Sequence, residues 1–358
     1  MSQRSQGDLT DREEQILEAV IRTYVETAEP AGSRTVARRQ GLGVSPATIR
    51  NAMSDLEEKG FLYQIHTSAG RIPTDRAYRY YVDTLMRPVR LSAAEQRRIR
   101  RELAEEGPGP LERLIRRSIQ ALGFVTGELG VAIAPRLDEV VLEKLELALI
   151  SSEKVLLVLT LHSGMIRTVY VDLPGQVPAQ TLAAVTQVLN ERLAGLTLGQ
   201  IRATIADRLR DAGTDESTTE LLNIFMQSAD DALEPGGLTG AELLIGRTSV
   251  LATQPEFATG PRLRSLIELT EQPDVLTSAL TSREHDSTPR ITIGMEHGTP
   301  QLSTLTLVTS EYRIGNLAGV LGVLGPTRMP YEKVAAIVEY TSNLMSELAG
   351  SAGTEANA

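Results

Sequence analysis

A multidomain α+β fold is predicted for this 358-residue chain, and three observations predict it. The first 90 residues hold three short, capped helical segments followed by a hairpin-like string. Beyond residue 110, β-rich runs and helical runs succeed one another, as in chains that pack helices on sheets. The length also exceeds what one hydrophobic core usually serves, so two or three domains are expected.

The first helix is set by Thr10 and Glu13, a T-x-x-E capping box, and by one apolar face of Ile16, Leu17, Val20, Ile21, Tyr24 and Val25. "AEPAG" ends it near Pro30. Ser33 is the expected N-cap of a second, short helix running through Val36 and Ala37 to Arg39, and Gly41 and Gly43 form a tight turn. Ser45 caps a third helix with Pro46 at its first position, where a missing N–H costs nothing. Ile49, Met53 and Leu56 fall on its core side, leaving Thr48, Arg50, Asn51 and Ser54 outward. "FLYQI" and "GRIPT" are expected to pair as strands around "HTSAG". Thr74 or Asp75 then caps a helix with Tyr78, Tyr81, Val82, Leu85 and Met86 on one side. Three helices and a hairpin make the winged helix-turn-helix pattern, in which the third helix enters the major groove and the hairpin lies along the neighbouring backbone or minor groove.

Ser92 and Glu95 start another capped helix, and Gly107–Pro110 is the clearest linker in the chain. A helix through Leu111, Leu114, Ile115, Ile119 and Leu122 leads into the β-rich "LEKLELALI", "KVLLVLT" and "MIRTVYVDL", the last two joined by "LHSG". Helices are expected at about Ala179–Leu193, at a capping box of Ser217 and Glu220, and through about Arg262–Leu280. β-like segments are "ELLIGRTSVL", "RITIGMEH" and "STLTLVTSEY". A final amphipathic helix carries Val334, Ile337, Val338, Leu344 and Leu348. Residues 351–358 are expected to be disordered.

Charge narrows the function. The net charge is −10, yet residues 1–90 hold 13 Lys/Arg against 12 Asp/Glu, and residues 32–80 hold 8 basic against 4 acidic side chains. A local basic face on an acidic protein permits docking to phosphate where shape also fits. No apolar run is long enough for a membrane helix, and the N-terminal string has no signal-peptide core. Cysteine is absent, which excludes disulfides and thiolate metal sites and fits a cytoplasmic protein. The four histidines, His66, His162, His285 and His297, form no metal-binding spacing, so neither a metal nor a cofactor is expected. Nucleophile elbows, zinc-protease motifs and phosphate-binding loops are likewise missing, which argues against an enzyme.

The third helix carries the strongest functional signal. Arg makes paired bonds to guanine, Asn to adenine, and Ser or Thr to bases or phosphates. Any solvent-facing helix shows polar residues, but these follow a tight glycine turn and precede a hairpin. The candidate DNA-contacting set is Ser33 and Arg34 on the second helix, Ser45, Thr48, Arg50, Asn51 and Ser54 on the third, and His66, Thr67, Ser68 and Arg71 around the hairpin tip. A tight hairpin favours small polar residues for conformational reasons too, so the tip is the weaker part. The glycines of "GNLAGVLGVLGP" match close backbone packing better than a nucleotide site. Arg328, between two prolines, is placed in a structural ion pair.

The string "VSPATIRNAMSDLEEKGFLYQIHTSAGRIPTDRAYRYYVDTLM" and the distant "GNLAGVLGVLGPTRMPYEKV" resemble those of the HrcA family of heat-inducible transcription repressors, in the expected order along almost the whole chain. The resemblance implies a winged helix at 1–90, a helix and linker at 91–110, a GAF-like domain at 111–177 and 257–350, and an inserted dimerisation domain at 178–256. It further implies a homodimer on an inverted-repeat operator ahead of chaperone operons, with activity modulated by chaperonin. An alternative reading, a metabolite-sensing GAF-type regulator, stays open, although no residue requires a ligand.

Overall fold

The computed structural model describes residues 9–66, 69–104, 111–162, 166–173, 175–213, 216–227, 242–281, 289–315 and 317–351. The expected linker at Gly107–Pro110, the turn after His162 and residues 352–358 lie outside them.

Helix α1 spans Asp11–Thr27, α2 Ser33–Gln40 and α3 Pro46–Glu58. The Thr10–Glu13 capping box is present in both directions: the Thr10 N–H donates to Glu13 Oε2 at 2.7 Å, and the Glu13 N–H to Thr10 Oγ1 at 3.3 Å. α1 ends on Ala28, whose φ of +55° is left-handed without being glycine. A Cβ in that region costs about 1 kcal/mol or more. Ala28→Gly is therefore expected to stabilise the chain by about 1 kcal/mol, read as a raised melting temperature.

The hairpin is shorter than the sequence pattern predicts. Its strands are β1, Leu62–Tyr63, and β2, Ile72–Pro73, paired antiparallel. Beyond them the returning arm pairs with a different segment: Ala31 and Arg71 exchange both backbone bonds, at 2.8 and 3.0 Å. Gly70 is required there, because a Cβ on it would lie 2.4 Å from the Pro30 carbonyl oxygen. Thr74, not Asp75, caps α4 (Asp75–Tyr80), accepting from the Ala77 N–H at 3.3 Å. Helix α5 (Ala93–Ala104) opens on the expected Ser92–Glu95 box.

From α6 (Leu111–Thr126) the chain enters β3 (Leu129–Ile133) and then a long excursion. β4 (Leu142–Ser151), β5 (Lys154–Leu161) and β6 (Ile166–Asp172) form an antiparallel sheet of their own. Helices α7 (Ala179–Leu193), α8 (Leu198–Leu209) and α9 (Glu216–Gln227) share an apolar core with this sheet, reaching from Leu137 to Phe225. The cores thus divide the chain differently from the expected break at 178–256. Strands β4 to β6 belong with the helices that follow them.

The chain returns through β7 (Leu243–Ile245), a short helical turn at Ser249–Ala252, α10 (Gly260–Thr270), α11 (Pro273–Thr281), β8 (Arg290–Ile293), β9 (Leu305–Ile314), β10 (Leu317–Pro326) and α12 (Tyr331–Ser351). A five-stranded antiparallel sheet runs in the order β7-β3-β10-β9-β8. One face packs on α6 and α12, the other on α10 and α11. Three expectations change here. "ELLIGRTSVL" is strand only at Leu243–Ile245, the helix expected over Arg262–Leu280 is broken before Pro273, and Ser217 lies within α9 instead of capping it. The glycines of β10 do serve close packing, in an inner strand: a Cβ at Gly319 would meet the Tyr312 ring at 2.3 Å, and one at Gly322 the Val308 carbonyl at 2.3 Å.

The helix-hairpin unit is docked on this second sheet. Arg79 donates to Glu296 Oε1 at 2.7 Å and to the Ile291 carbonyl at 2.7 Å, and the Met295 N–H donates to Asp75 at 3.0 Å. Gly294 makes the last contact possible, since its φ is +50° and a Cβ would overlap the Asp75 carboxylate at 2.0 Å. Arg328 is the second tie. It grips Glu256 at 2.5 and 3.0 Å and donates to the Val25 carbonyl at 2.9 Å. The hydrogen-bonded Glu256 carboxylate, outweighing burial, holds the guanidinium above its ordinary range. The side chains are only 14% and 19% exposed, so removing one charge strands the other. Arg328→Ala is expected to cost about 2–3 kcal/mol, measured by denaturant unfolding. Among the described residues no helix is long and apolar enough to cross a membrane.

Candidate nucleic-acid interface

Helix α3 is built to hold one face still and offer the other. Ile49 and Leu56 are fully buried, with Ala52 and Met53 nearly so, and Arg50, Asn51 and Ser54 stand exposed on the opposite side. Ser45 uses its hydroxyl for the cap, accepting from the Thr48 N–H at 3.1 Å and lying 3.0 Å from the Thr48 hydroxyl. These two hydroxyls fix where the helix starts, and Thr48 is only half-exposed. The far end is tied to α1 by Lys59, which donates to Glu13 at 2.7 Å. Burial alone would raise the Glu13 carboxyl. The bonds from Lys59 and Thr10 outweigh it and bring the pKa below the ordinary value.

Two members of the expected set take other roles. Ser33 is 8% exposed and is the first residue of α2, with Gly32 in the capping position, so it is neither cap nor surface contact. Arg71 is turned back onto the recognition-helix candidate. Its Nη2 lies 2.8 Å from Glu57 Oε2, with the Arg71 side chain 17% exposed. It braces the hairpin instead of reaching outward. His66 is exposed, and Thr67 and Ser68 lie outside the described residues. Gln64 closes the base of the loop by donating to the Ala69 carbonyl at 2.8 Å.

On α2, Arg34 is exposed as expected, and Arg38, absent from the expected set, stands one turn later on the same face. Among the described residues neither has an ion-pair partner, nor does Arg50, whereas Arg39 is held by Glu26 at 3.0 Å. The signal for Arg38 was present in the i, i+4 spacing from Arg34. Arg34, Arg38, Arg50, Asn51 and Ser54 are thus exposed polar side chains that α2 and the first turns of α3 offer a partner, while the exposed carboxylates of α3, Asp55 and Glu58, sit at its far end.

Residues 112–335 match the family described as HrcA protein C terminal domain, more than half of the chain. The chain belongs to the HrcA family. Similar proteins named "Heat-inducible transcription repressor HrcA" include that of Chlorobium phaeovibrioides, 38% identical over 95% of this chain and 97% of the relative. That of Geobacter sulfurreducens is 38% identical over 95% and 98%. A crystal structure of a hypothetical protein shares the fold, with a TM-score of 0.71 at 21% identity over 96% of this chain and all of that one. The HrcA C-terminal match begins at α6 and ends within α12, so α1 to α4 and the hairpin lie outside it. The full-length HrcA relatives cover 95% of the chain.

Proposed function

We propose that this chain is a heat-inducible transcription repressor that binds an inverted-repeat operator ahead of chaperone operons as a homodimer. The observation that carries the reading is α3, whose inner face is locked in the core while Arg50 and Asn51 stand exposed, Arg50 with no ion-pair partner among the described residues. Helices α1 to α3 and the hairpin act as a winged helix-turn-helix, with α3 in the major groove and the hairpin tip, including His66, along the backbone. Arg34 and Arg38 supply sequence-independent phosphate contacts. The names of the HrcA relatives support the repressor role.

The domain centred on the five-stranded sheet is taken as GAF-like, and the unit with its own core from Leu137 to Phe225 as the dimerisation insert. One unit of this size reads few base pairs, whereas a two-fold dimer doubles the site and its specificity. Chaperonin modulates the repressor, and no catalytic role is assigned. Selection of bound DNA from a random pool by the full-length chain at fixed salt tests the reading. An enriched inverted repeat bound by two copies is the expected result, and retention of DNA without sequence preference would overturn it.

A further inference from the structure

Docking of the helix-hairpin unit on the five-stranded domain leaves a cleft of about 760 Å³, within the range of small-molecule sites. Its walls come from both sides. α1 contributes Tyr24, the hairpin Tyr63 and α4 Tyr78, while the five-stranded domain contributes Phe257, Arg262 and Arg328. Tyr63 is a large ring left 45% exposed. Tyr78 is the reverse case, 1% exposed with a hydroxyl that has no hydrogen-bond partner. A buried phenol without a partner is costly, and a ligand oxygen would satisfy it.

The two cations differ. Arg328 is taken up by Glu256 and the Val25 carbonyl. Arg262 is exposed, donates one long bond of 3.5 Å to the Glu256 carbonyl, and pairs with no carboxylate among the described residues. A guanidinium in that state offers two parallel donors to a carboxylate.

We propose that this cleft binds a small aromatic carboxylate carrying a second oxygen substituent. The carboxylate meets Arg262, the ring lies among Tyr24, Tyr63 and Phe257, and the second oxygen accepts from Tyr78. Asp75 and Glu268, also in the wall, carry negative charge, so a ligand with one carboxylate is favoured over one with two. Because the walls belong to two units, the bound molecule favours the docked arrangement over any in which they separate.

Calorimetric titration of the full-length chain with para-hydroxybenzoate tests this, with para-hydroxybenzyl alcohol as the uncharged control. Saturable binding is expected, weakened about tenfold or more by Arg262→Gln and several-fold by Tyr78→Phe. Arg262 is exposed, so its replacement leaves the core untouched. No saturable binding at millimolar acid, equal affinity for the alcohol, or an affinity unchanged in Arg262→Gln would overturn the proposal. These readouts involve no DNA, so they stand or fall apart from the repressor role.

Discussion

Raising the pH from about 5 to about 8 is expected to remove on the order of 4 kcal/mol of stability through Glu128, and Glu128→Gln should abolish that part of the dependence. Glu128 is 3% exposed, between α6 and β3. Burial pushes its carboxyl up to about 8 from an ordinary 4.5, and Glu256 adds to the rise. The hydrogen bond from Gln254 at 2.9 Å and the charge of Arg328 offset only part of it. Gly325 makes space for the carboxylate, since a Cβ there would lie 2.0 Å from its Oε2.

The folded state therefore holds a proton that the unfolded chain has already released over this window. Stability is full below the unfolded value and falls as pH rises towards the folded one. Chemical denaturation of wild type and variant across that range isolates the contribution. A difference between them that does not change with pH would show that the carboxylate ionises in place.

Loss of operator binding should be the largest functional effect. Arg50→Ala and Asn51→Ala are each expected to cost about 1–3 kcal/mol at one operator position, and together about a hundredfold or more in affinity. Both side chains are exposed, so melting temperature should stay nearly unchanged. Arg38→Ala should behave differently, weakening binding to all sequences alike and lowering the salt dependence by about one ion. Titration of a labelled inverted-repeat probe at two salt concentrations separates the cases. Unaltered binding by the Arg50→Ala, Asn51→Ala pair would remove α3 from the reading role.

Much of the helix-hairpin unit was legible from short windows. Capping boxes and i, i+4 apolar spacing report on contacts within one or two turns, so α1, α3, α5 and α7 fall where their sequences place them. Helix α8 carried the same kind of signal, Thr197 and Gln200, which form a full capping box at 3.1 Å in both directions. The stretch around it is otherwise undistinguished, with no turn string or β-rich run to set the box off. The hairpin illustrates the limit. "FLYQI" and "GRIPT" have strand character, but only Ile72 and Pro73 of the return arm pair with the outgoing strand, and Arg71 just before them bonds Ala31 instead, a choice no local pattern contains.

Local pattern along the chain is enough to set the α+β class, the start of α3 at its Ser45–Pro46 cap, and which of its faces is apolar. Those depend on propensity and periodicity, which act between neighbours. Which polar residues remain free depends on contacts made across the folded chain. Ser33 is buried, Arg71 is spent on Glu57, Arg328 reaches a carboxylate 72 residues away, and β4 to β6 join a separate core. Periodicity says that a face will be covered, not by what. A charge finds its partner through space, and the chain brings distant residues together only once it has folded.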